Sequence, residues 1–232
     1  ELLARIQTHL KLARLREEVL QRGQTACRKV KAVQSRLTFL SRASIRLAAT
    51  LDYEQTLQSL CDLTVSELAD YCIVWLRSDD EIQVARIAGR TPLISNQLRQ
   101  ILAHYSPGQN SLLNKVLDNG QSQLFPKVDR ETLILITGNP ENLPLLEPLN
   151  VQSHLLVPLK RQEKVIGALS LALLGNGRHF DRDDLILAEE LGRRAAMAID
   201  NARLYREAQE APKQAEKVAA LEERQRLARE VD

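Results

Sequence analysis

The spacing of apolar and polar residues changes twice along the chain, from a helical period to short apolar runs and back to a helical period. Residues 1–20 place leucine and isoleucine at mixed steps of three to five positions, with lysine and arginine on the other side. A second helical stretch covers roughly 25–49, and Gly23 is expected to end or interrupt the first. Asp52 is a good N-cap for a third helix through about Ala69.

Two strand pairs interrupt the helical pattern. Residues 71–76 form a nearly continuous apolar run, which is typical of a strand covered on both faces, and 82–88 alternate as its partner. The clearest strand signal lies at 153–159 and 165–174, which are joined by a polar link at 160–164. Both pairs are predicted to be antiparallel hairpins.

The segment between the hairpins has a mixed pattern. Residues 92–119 are mostly helical with an interruption at 106–108, and Gly120 follows as a helix C-terminal signal. A short strand is expected near 123–125. Four prolines in 126–150 predict a loop with short helices.

A long helix follows the last hairpin. Asp181 is expected to cap it, Pro212 to interrupt it, and residues 213–232 to resume as a charged helix. Its apolar residues alternate steps of four and three, as in a coiled-coil seam, although such a seam could also simply pack on the sheet. We predict a homodimer contact through Leu37, Leu40, Leu191, Ala195, Ala198, Ala202 and Tyr205.

Strands grouped between helices favour an α+β domain built on an antiparallel sheet. The 232 residues suffice for one domain with additional helices, or for two small domains. Net charge is +2 with no basic block, so nothing indicates nucleic-acid binding. No apolar run approaches the roughly 20 residues of a membrane span. Three cysteines without paired or metal-type spacing, and no signal peptide, predict a cytoplasmic protein.

This order of elements resembles the GAF domain family over roughly residues 36–210. Residues 39–76 look like the entry helices and first strand of GAF domains in bacterial sensor kinases, with the sequence FLSRASIRLAATLDYEQTLQSLCDLTVSELADYCIVWL. The family's last hairpin and exit helix look like residues 151–208, VQSHLLVPLKRQEKVIGALSLALLGNGRHFDRDDLILAEELGRRAAMAIDNARLYREA. The resemblance implies a GAF fold, with helices on both faces of a central antiparallel sheet and long entry and exit helices.

Both flanks resemble parts of signalling proteins. The start of the chain looks like the final helix of a response-regulator receiver domain, so 1–20 are expected to close a truncated receiver-like domain and 21–49 to form an entry linker. Residues 222–232 are similar to the start of a histidine-kinase dimerisation helix, but Val231-Asp232 stand where that pattern has a histidine. Residues 211–232 are then expected to lead toward an output domain.

The resemblance implies a non-catalytic sensory or relay module of a bacterial two-component signalling protein. The module is expected to be a homodimer that passes a ligand-derived or receiver-derived change to an output domain. The expected parent protein is a hybrid histidine kinase. Two alternatives stay open: a dedicated small-molecule sensor domain, and the regulatory fragment of a phosphatase or cyclase. The chain itself offers no nucleophile–base pattern and no metal-type spacing, so no catalytic or metal residues are assigned.

GAF domains as a family bind cyclic nucleotides, bilins, haem or small metabolites, or bind nothing. The cyclic-nucleotide signature, Asn-Lys…Phe…Asp-Glu, is not found here, and residues 143–159 lack the cysteine that bilin attachment needs. No cofactor is therefore predicted, and any unidentified small ligand would lie between the sheet and residues 92–150. The expected walls are mostly apolar and include Trp75, Leu102, Leu113, Phe125 and Leu149.

One polar pair is expected among these apolar residues. If Lys160 faces Lys164, the same register places His154 opposite Ser170. Two polar groups on otherwise apolar strands predict a polar spot in the pocket wall. The alternative is a hydrogen-bonded core histidine or one at a solvent edge, and a register shift of one residue would separate the pair.

Overall fold

The computed structural model describes most of the chain: residues 2–78, 81–105, 108, 111–175 and 177–230. Two compact units divide it, Glu1–Arg42 and Ala43–Asp232. The first unit consists of helix, and the second holds the whole sheet. The turns predicted at 79–80, 106–107 and 176, and the final pair 231–232, lie outside the described residues.

Seven helices and five strands of the described chain follow the predicted order. Their bounds are α1 Leu2–Ala48, α2 Tyr53–Glu67, β1 Tyr71–Ser78, β2 Glu81–Gly89, α3 Pro92–His104, α4 Leu112–Asn119, β3 Gln123–Phe125, α5 Arg130–Thr137, α6 Leu143–Leu146, β4 Val151–Arg161, β5 Lys164–Leu174 and α7 Arg182–Glu230. Short 3-10 turns flank α6 in the proline-rich segment, where loop and short helices were expected.

The predicted helix ends are confirmed by their capping hydrogen bonds. The Gln55 amide donates to the Asp52 carboxylate at 2.7 Å at the start of α2. At the start of α7, Asp181 accepts from the Asp183 and Asp184 amides at 2.8 and 2.9 Å. Gly120 ends α4 in the left-handed region with φ of 64°, a conformation that strains residues with a Cβ.

The five strands form one antiparallel sheet in the order β2-β1-β5-β4-β3. This confirms the predicted α+β class and antiparallel sheet. Asp70 ties three strand ends together. Its carboxylate accepts from the Leu174 amide at 2.8 Å and pairs with the Arg90 guanidinium at 3.1 Å, while its carbonyl accepts from the Arg90 amide at 2.7 Å.

Both faces of the sheet are covered. Helices α2 and α7 pack on one face, and α7 lies close to β4 at Gly192, where an added Cβ would lie 3.3 Å from the Pro158 carbonyl oxygen. Cys61 and Cys72 are fully buried between α2 and β1, as packing residues. The segment from α3 to α6 covers the other face, around a core that includes Tyr71, Ile73 and Leu156.

Two predicted helix breaks are wrong. Helix α1 runs through Gly23 without interruption, and α7 runs through Pro212. Glycine weakens a helix interior by only about 1 kcal/mol relative to alanine, which a long helix absorbs. Proline removes one hydrogen bond, yet the remaining bonds of a 49-residue helix persist on both sides of it.

The predicted register of the last hairpin is also wrong, by two residues. Lys160 pairs with Val165, and a bulge lies between Leu159 and Lys160. Beyond this bulge, the next residues of β4 pair with the β5 residues two positions later than predicted. His154 therefore lies opposite Ala172. A bulge places an extra residue on one strand, and the spacing of polar positions does not reveal it.

The proposed coiled-coil seam on α7 packs inside the domain. Leu191, Ala195 and Ala202 are fully buried within the chain, so they are not available to a partner. Ala198 is half-buried and Tyr205 is exposed, as is Leu37 of the first unit, whereas Leu40 is half-buried. Among the α7 side chains that the structure describes, Ile186, Met197 and Leu204 are also exposed.

Within the part of the chain that the structure describes, no helix combines the length and apolar character that crossing a membrane requires.

Candidate functional site

A cavity lies between the sheet and the α3–α6 segment. Its walls come from three strands and four covering helices, and they consist of Tyr71, Ile73, Trp75, Leu98, Ile101, Leu102, Tyr105, Leu113, Leu133, Ile136, Leu146, Val151, His154, Leu156 and Ser170. The centre of a water molecule can occupy about 50 Å³ of it. One water needs roughly 10–15 Å³ of such space, so the cavity has room for a few waters and is not filled by packing.

Five of the seven sequence-predicted pocket residues line this cavity: Trp75, Leu102, Leu113, His154 and Ser170. The other two belong to the same hydrophobic core but do not reach the cavity: Phe125 and Leu149. Phe125 pairs with His154 across β3 and β4, so the two side chains share one face of the sheet, and Phe125 lies next to the cavity lining. Ligand binding by these residues stays a prediction.

The floor of the cavity carries one polar contact. His154 on β4 and Ser170 on β5 are diagonal neighbours, because Ser170 pairs directly with Leu156. The His154 Nε2 lies 2.9 Å from the Ser170 Oγ, a normal hydrogen-bond distance. Diagonal positions on one sheet face remain within reach of long side chains, which explains why the two meet despite the shifted register.

The second ring nitrogen of His154 has no hydrogen-bond partner among the described residues. The side chain is only 3% exposed, and its Nδ1 is fully buried. Native proteins pair most buried polar atoms, since leaving one unpaired costs about 1–3 kcal/mol. Because His154 lines the cavity, its unpaired nitrogen is a position at which a ligand atom can form a hydrogen bond once the ligand displaces the side chains that cover it.

Burial keeps this histidine neutral. Desolvation lowers the pKa of His154 to about 4, from an ordinary value of 6.5. The two tyrosines in the same wall are neutral as well: burial raises the pKa of Tyr105 to about 12 and raises that of Tyr71 still further. The site thus offers hydrogen-bonding groups but no charge at neutral pH.

An aromatic pair forms one side of the cavity. The Trp75 and Tyr105 rings lie with centroids 6.0 Å apart and planes inclined by 50°. Tilted aromatic pairs at this separation are favourable, and they present flat apolar surface to a ligand. Trp75 is the single tryptophan of the sequence, so its fluorescence reports on this cavity alone.

The arrangement suits hydrogen bonding better than nucleophilic catalysis. A serine nucleophile needs a base of suitable pKa that a third group orients. Here His154 is a weak base, and no carboxylate among the described residues contacts its Nδ1. No group of three histidine, cysteine, aspartate or glutamate side chains in the described parts of the chain could hold a metal ion.

Sequence reasoning did not select several lining residues. Tyr71 and Ile73 lie on β1 at two-residue steps from Trp75, so the strand period alone would have placed them on the same face. No comparable signal marks Leu133, Ile136 or Leu146, because they come from short helices in a segment of irregular pattern.

The model of the GAF domain family matches residues 52–199 of the chain. This range begins at the cap of α2 and ends within α7, and it includes the whole sheet and the cavity.

Solved structures of similar fold come from several bacteria. The GAF domain of a phosphoenolpyruvate-protein phosphotransferase from Coxiella burnetii is 18% identical and superposes with a TM-score of 0.58, covering 73% of this chain and 95% of that one. A GAF domain/HD domain protein from Geobacter sulfurreducens is 20% identical, with a TM-score of 0.54 over 68% and 99% of the two chains.

A free methionine-R-sulfoxide reductase from Neisseria meningitidis, solved in complex with its substrate, has the same fold. It is 16% identical, with a TM-score of 0.53 over 72% of this chain and 89% of that chain. At these identities the likeness shows a shared fold and leaves activity and ligand undecided.

Proposed function

The chain belongs to the GAF domain family, and on that premise we propose that it is a non-catalytic sensory and relay module of a bacterial two-component signalling protein. GAF domains are sensory and regulatory modules of varied signalling proteins. The proposal adds that a small molecule in the cavity, or a change in a neighbouring receiver domain, alters helices that lead to an output domain.

One observation carries this proposal: strand β4 borders the cavity on one face and helix α7 on the other. His154 and Leu156 line the cavity. The alternate residues Val157 and Leu159 point toward α7, where an added Cβ on Gly192 would lie 3.5 and 3.7 Å from their side chains. Interiors are close-packed, so a displacement of β4 by a ligand is transmitted to the helix behind it.

An ion pair on a buried carboxylate joins the same strand to the same helix. Asp200 on α7 is 2% exposed and pairs with Arg161 at the end of β4. Its other oxygen accepts from Arg203 at 2.8 Å. The two arginines are 43% and 42% exposed, and they offset the cost of burying this carboxylate, so the ion pairs hold the hairpin end against α7.

The proposal includes a homodimer through the outer face of α7. Ile186, Met197 and Leu204 are separated by eleven and seven residues, about three and two helical turns, so they lie along one side. Each is more than two-fifths exposed. A parallel two-helix contact buries such a stripe symmetrically, and Leu37, Leu40, Ala198 and Tyr205 stay predicted members of the interface.

The wider context rests on sequence resemblance. Residues 1–20 would end a receiver-like domain, and residues 211–232 would lead toward an output domain, for which a histidine kinase is the first choice. A dedicated small-molecule sensor, or the regulatory part of a phosphatase or cyclase, would use the same cavity and helix.

Native mass spectrometry of the purified chain tests the proposal. We expect a dimer, with a small molecule retained or taken up, and no phosphotransfer by the chain in a separate assay. A protein that stays monomeric at high concentration would contradict the dimeric relay, and measurable phosphotransfer would contradict a non-catalytic module.

A further inference from the structure

We infer that the cavity takes an uncharged, compact, mainly apolar molecule that carries one hydroxyl or amide group, which hydrogen-bonds to the His154 Nδ1. The inference rests on the proposed sensory function and names the chemical class of its ligand. It depends on the charge of the cavity wall, the bonding state of His154 and the size of the space.

None of the described lining residues carries a charge at neutral pH: the wall is aliphatic and aromatic, with two neutral tyrosines, one neutral histidine and one serine. A charged group moved from water into such surroundings without a partner loses much of its solvation free energy. Phosphate, carboxylate and ammonium groups are therefore excluded from the enclosed part of the cavity.

His154 has one buried ring nitrogen, Nδ1, without a hydrogen-bond partner among the described residues. The neutral ring has one N–H and one bare nitrogen, and Ser170 occupies Nε2. If Ser170 donates, Nδ1 carries the hydrogen and needs an acceptor; if Ser170 accepts, Nδ1 is bare and needs a donor. A hydroxyl or an amide satisfies either tautomer, whereas an ether or a hydrocarbon satisfies one or neither.

The cavity is small compared with a six-membered ring. The space of about 50 Å³ is smaller than the engineered cavity of about 150 Å³ that accommodates benzene. A six-membered ring therefore requires outward movement of covering side chains. Leu102, Leu133 and Leu146 are only half-buried and lie on the helical cover, so they can move at less cost than the strand residues beneath. A haem or a nucleotide would require the whole cover to separate from the sheet.

Four ring probes of similar shape test the inference on the full chain: cyclohexanol, methylcyclohexane, cyclohexanecarboxylate and cyclohexylammonium. None absorbs in the near ultraviolet, so the fluorescence of Trp75 can follow each titration. We expect the two uncharged probes to bind and both ions to bind at least about a hundredfold more weakly. The His154→Leu variant should reduce the preference for cyclohexanol over methylcyclohexane by roughly three- to tenfold, the effect of one hydrogen bond.

Two serine variants provide a matched comparison on neighbouring sites. Ser170→Ala removes the partner of the His154 Nε2, so both ring nitrogens then lack a partner and the preference for the hydroxyl probe should increase. Ser153→Ala removes a buried serine whose hydroxyl bonds to Phe125 and Phe180 backbone atoms outside the cavity, so the preference should be unchanged. Circular dichroism establishes that each variant is folded. If His154→Leu does not fold, Ser170→Ala still tests the role of the polar pair.

The outcomes separate this inference from the proposed function. Charged probes that bind as tightly as cyclohexanol would overturn the ligand class and leave a sensory cavity intact. An unchanged hydroxyl preference in both His154→Leu and Ser170→Ala would overturn the assigned role of His154. If no probe binds but native mass spectrometry finds another molecule on the protein, the ligand class alone is wrong. If that spectrum shows only the mass of the chain, the proposed sensing fails as well.

Discussion

The His154 imidazole contacts the Ser170 hydroxyl diagonally across β4 and β5, at 2.9 Å between Nε2 and Oγ, and its buried Nδ1 has no hydrogen-bond partner among the described residues. Ser170 pairs directly with Ile73 on one side and Leu156 on the other, so the polar pair is enclosed by apolar residues in the middle of the sheet. We therefore expect the free energy of unfolding to depend on the protonation of His154 and on the packing around it.

The first prediction concerns pH. Below about pH 6.5 the unfolded chain binds a proton at His154, but the folded chain does not until the pH nears 4. Stability from this residue is therefore fully present above pH 6.5 and is lost as the pH falls toward 4, on the order of 3 kcal/mol in total. Urea unfolding at a series of pH values should show a shallower loss for His154→Gln. His104→Gln, which removes an exposed histidine on α3, should follow the parent chain.

The second prediction concerns the buried carboxylate between β4 and α7. Asp200→Asn leaves Arg161 and Arg203 without their shared anion and should reduce the free energy of unfolding by roughly 1–3 kcal/mol. Asp118→Asn makes the same chemical change at a largely exposed ion pair with Arg77 and should cost less than about 1 kcal/mol. Equal losses for the two variants in chemical denaturation would argue against a buried connection to α7.

The third prediction compares two glycines. A Cβ on Gly167 in β5 would lie 2.2 Å from the Trp75 carbonyl oxygen, so Gly167→Ala requires the central strands to separate. We expect a loss of several kcal/mol or failure to fold, since overpacking between strands cannot relax easily. Gly23 lies in helix α1, and an added Cβ there meets no atom within 4 Å. Gly23→Ala should instead stabilise its helix by about 1 kcal/mol, measurable as increased helicity.

The fourth prediction concerns association. The double variant Met197→Glu/Leu204→Glu places charges on the exposed stripe of α7 and should convert a dimer to a monomer in analytical ultracentrifugation. Leu93→Glu makes the same change at an exposed leucine on α3 and should leave the dimer intact. A dimer that survives the α7 variant would place the interface elsewhere.

Local signals predicted the elements, and long-range packing decided the details that the sequence did not reveal. Asp52, Asp181 and Gly120 mark helix ends through short-range hydrogen bonds and backbone preferences, which the sequence displays directly. The bulge beside Lys160 depends on how whole strands fit together, so the hairpin register was misjudged by two residues.

The sequence likewise predicted part of the candidate site and missed the rest. Trp75, His154 and Ser170 stand out as unusual residues on apolar strands, and they do line one cavity. Phe125 has an equally suitable character and pairs with His154 across the sheet, but it is not among the cavity-lining residues, and the sequence pattern does not distinguish the two positions. The α7 seam was misjudged since an alanine-rich stripe fits a sheet as well as a partner helix, and burial alone distinguishes the two.

Hydrogen–deuterium exchange of the full chain, with and without saturating cyclohexanol, tests most directly whether α7 responds to the cavity. The account predicts altered amide exchange within residues 182–210 of α7 as well as in the α3–α6 cover, and a smaller α7 response in Asp200→Asn. Saturation that changes exchange only in the cover, with α7 unaffected, would contradict a relay through β4.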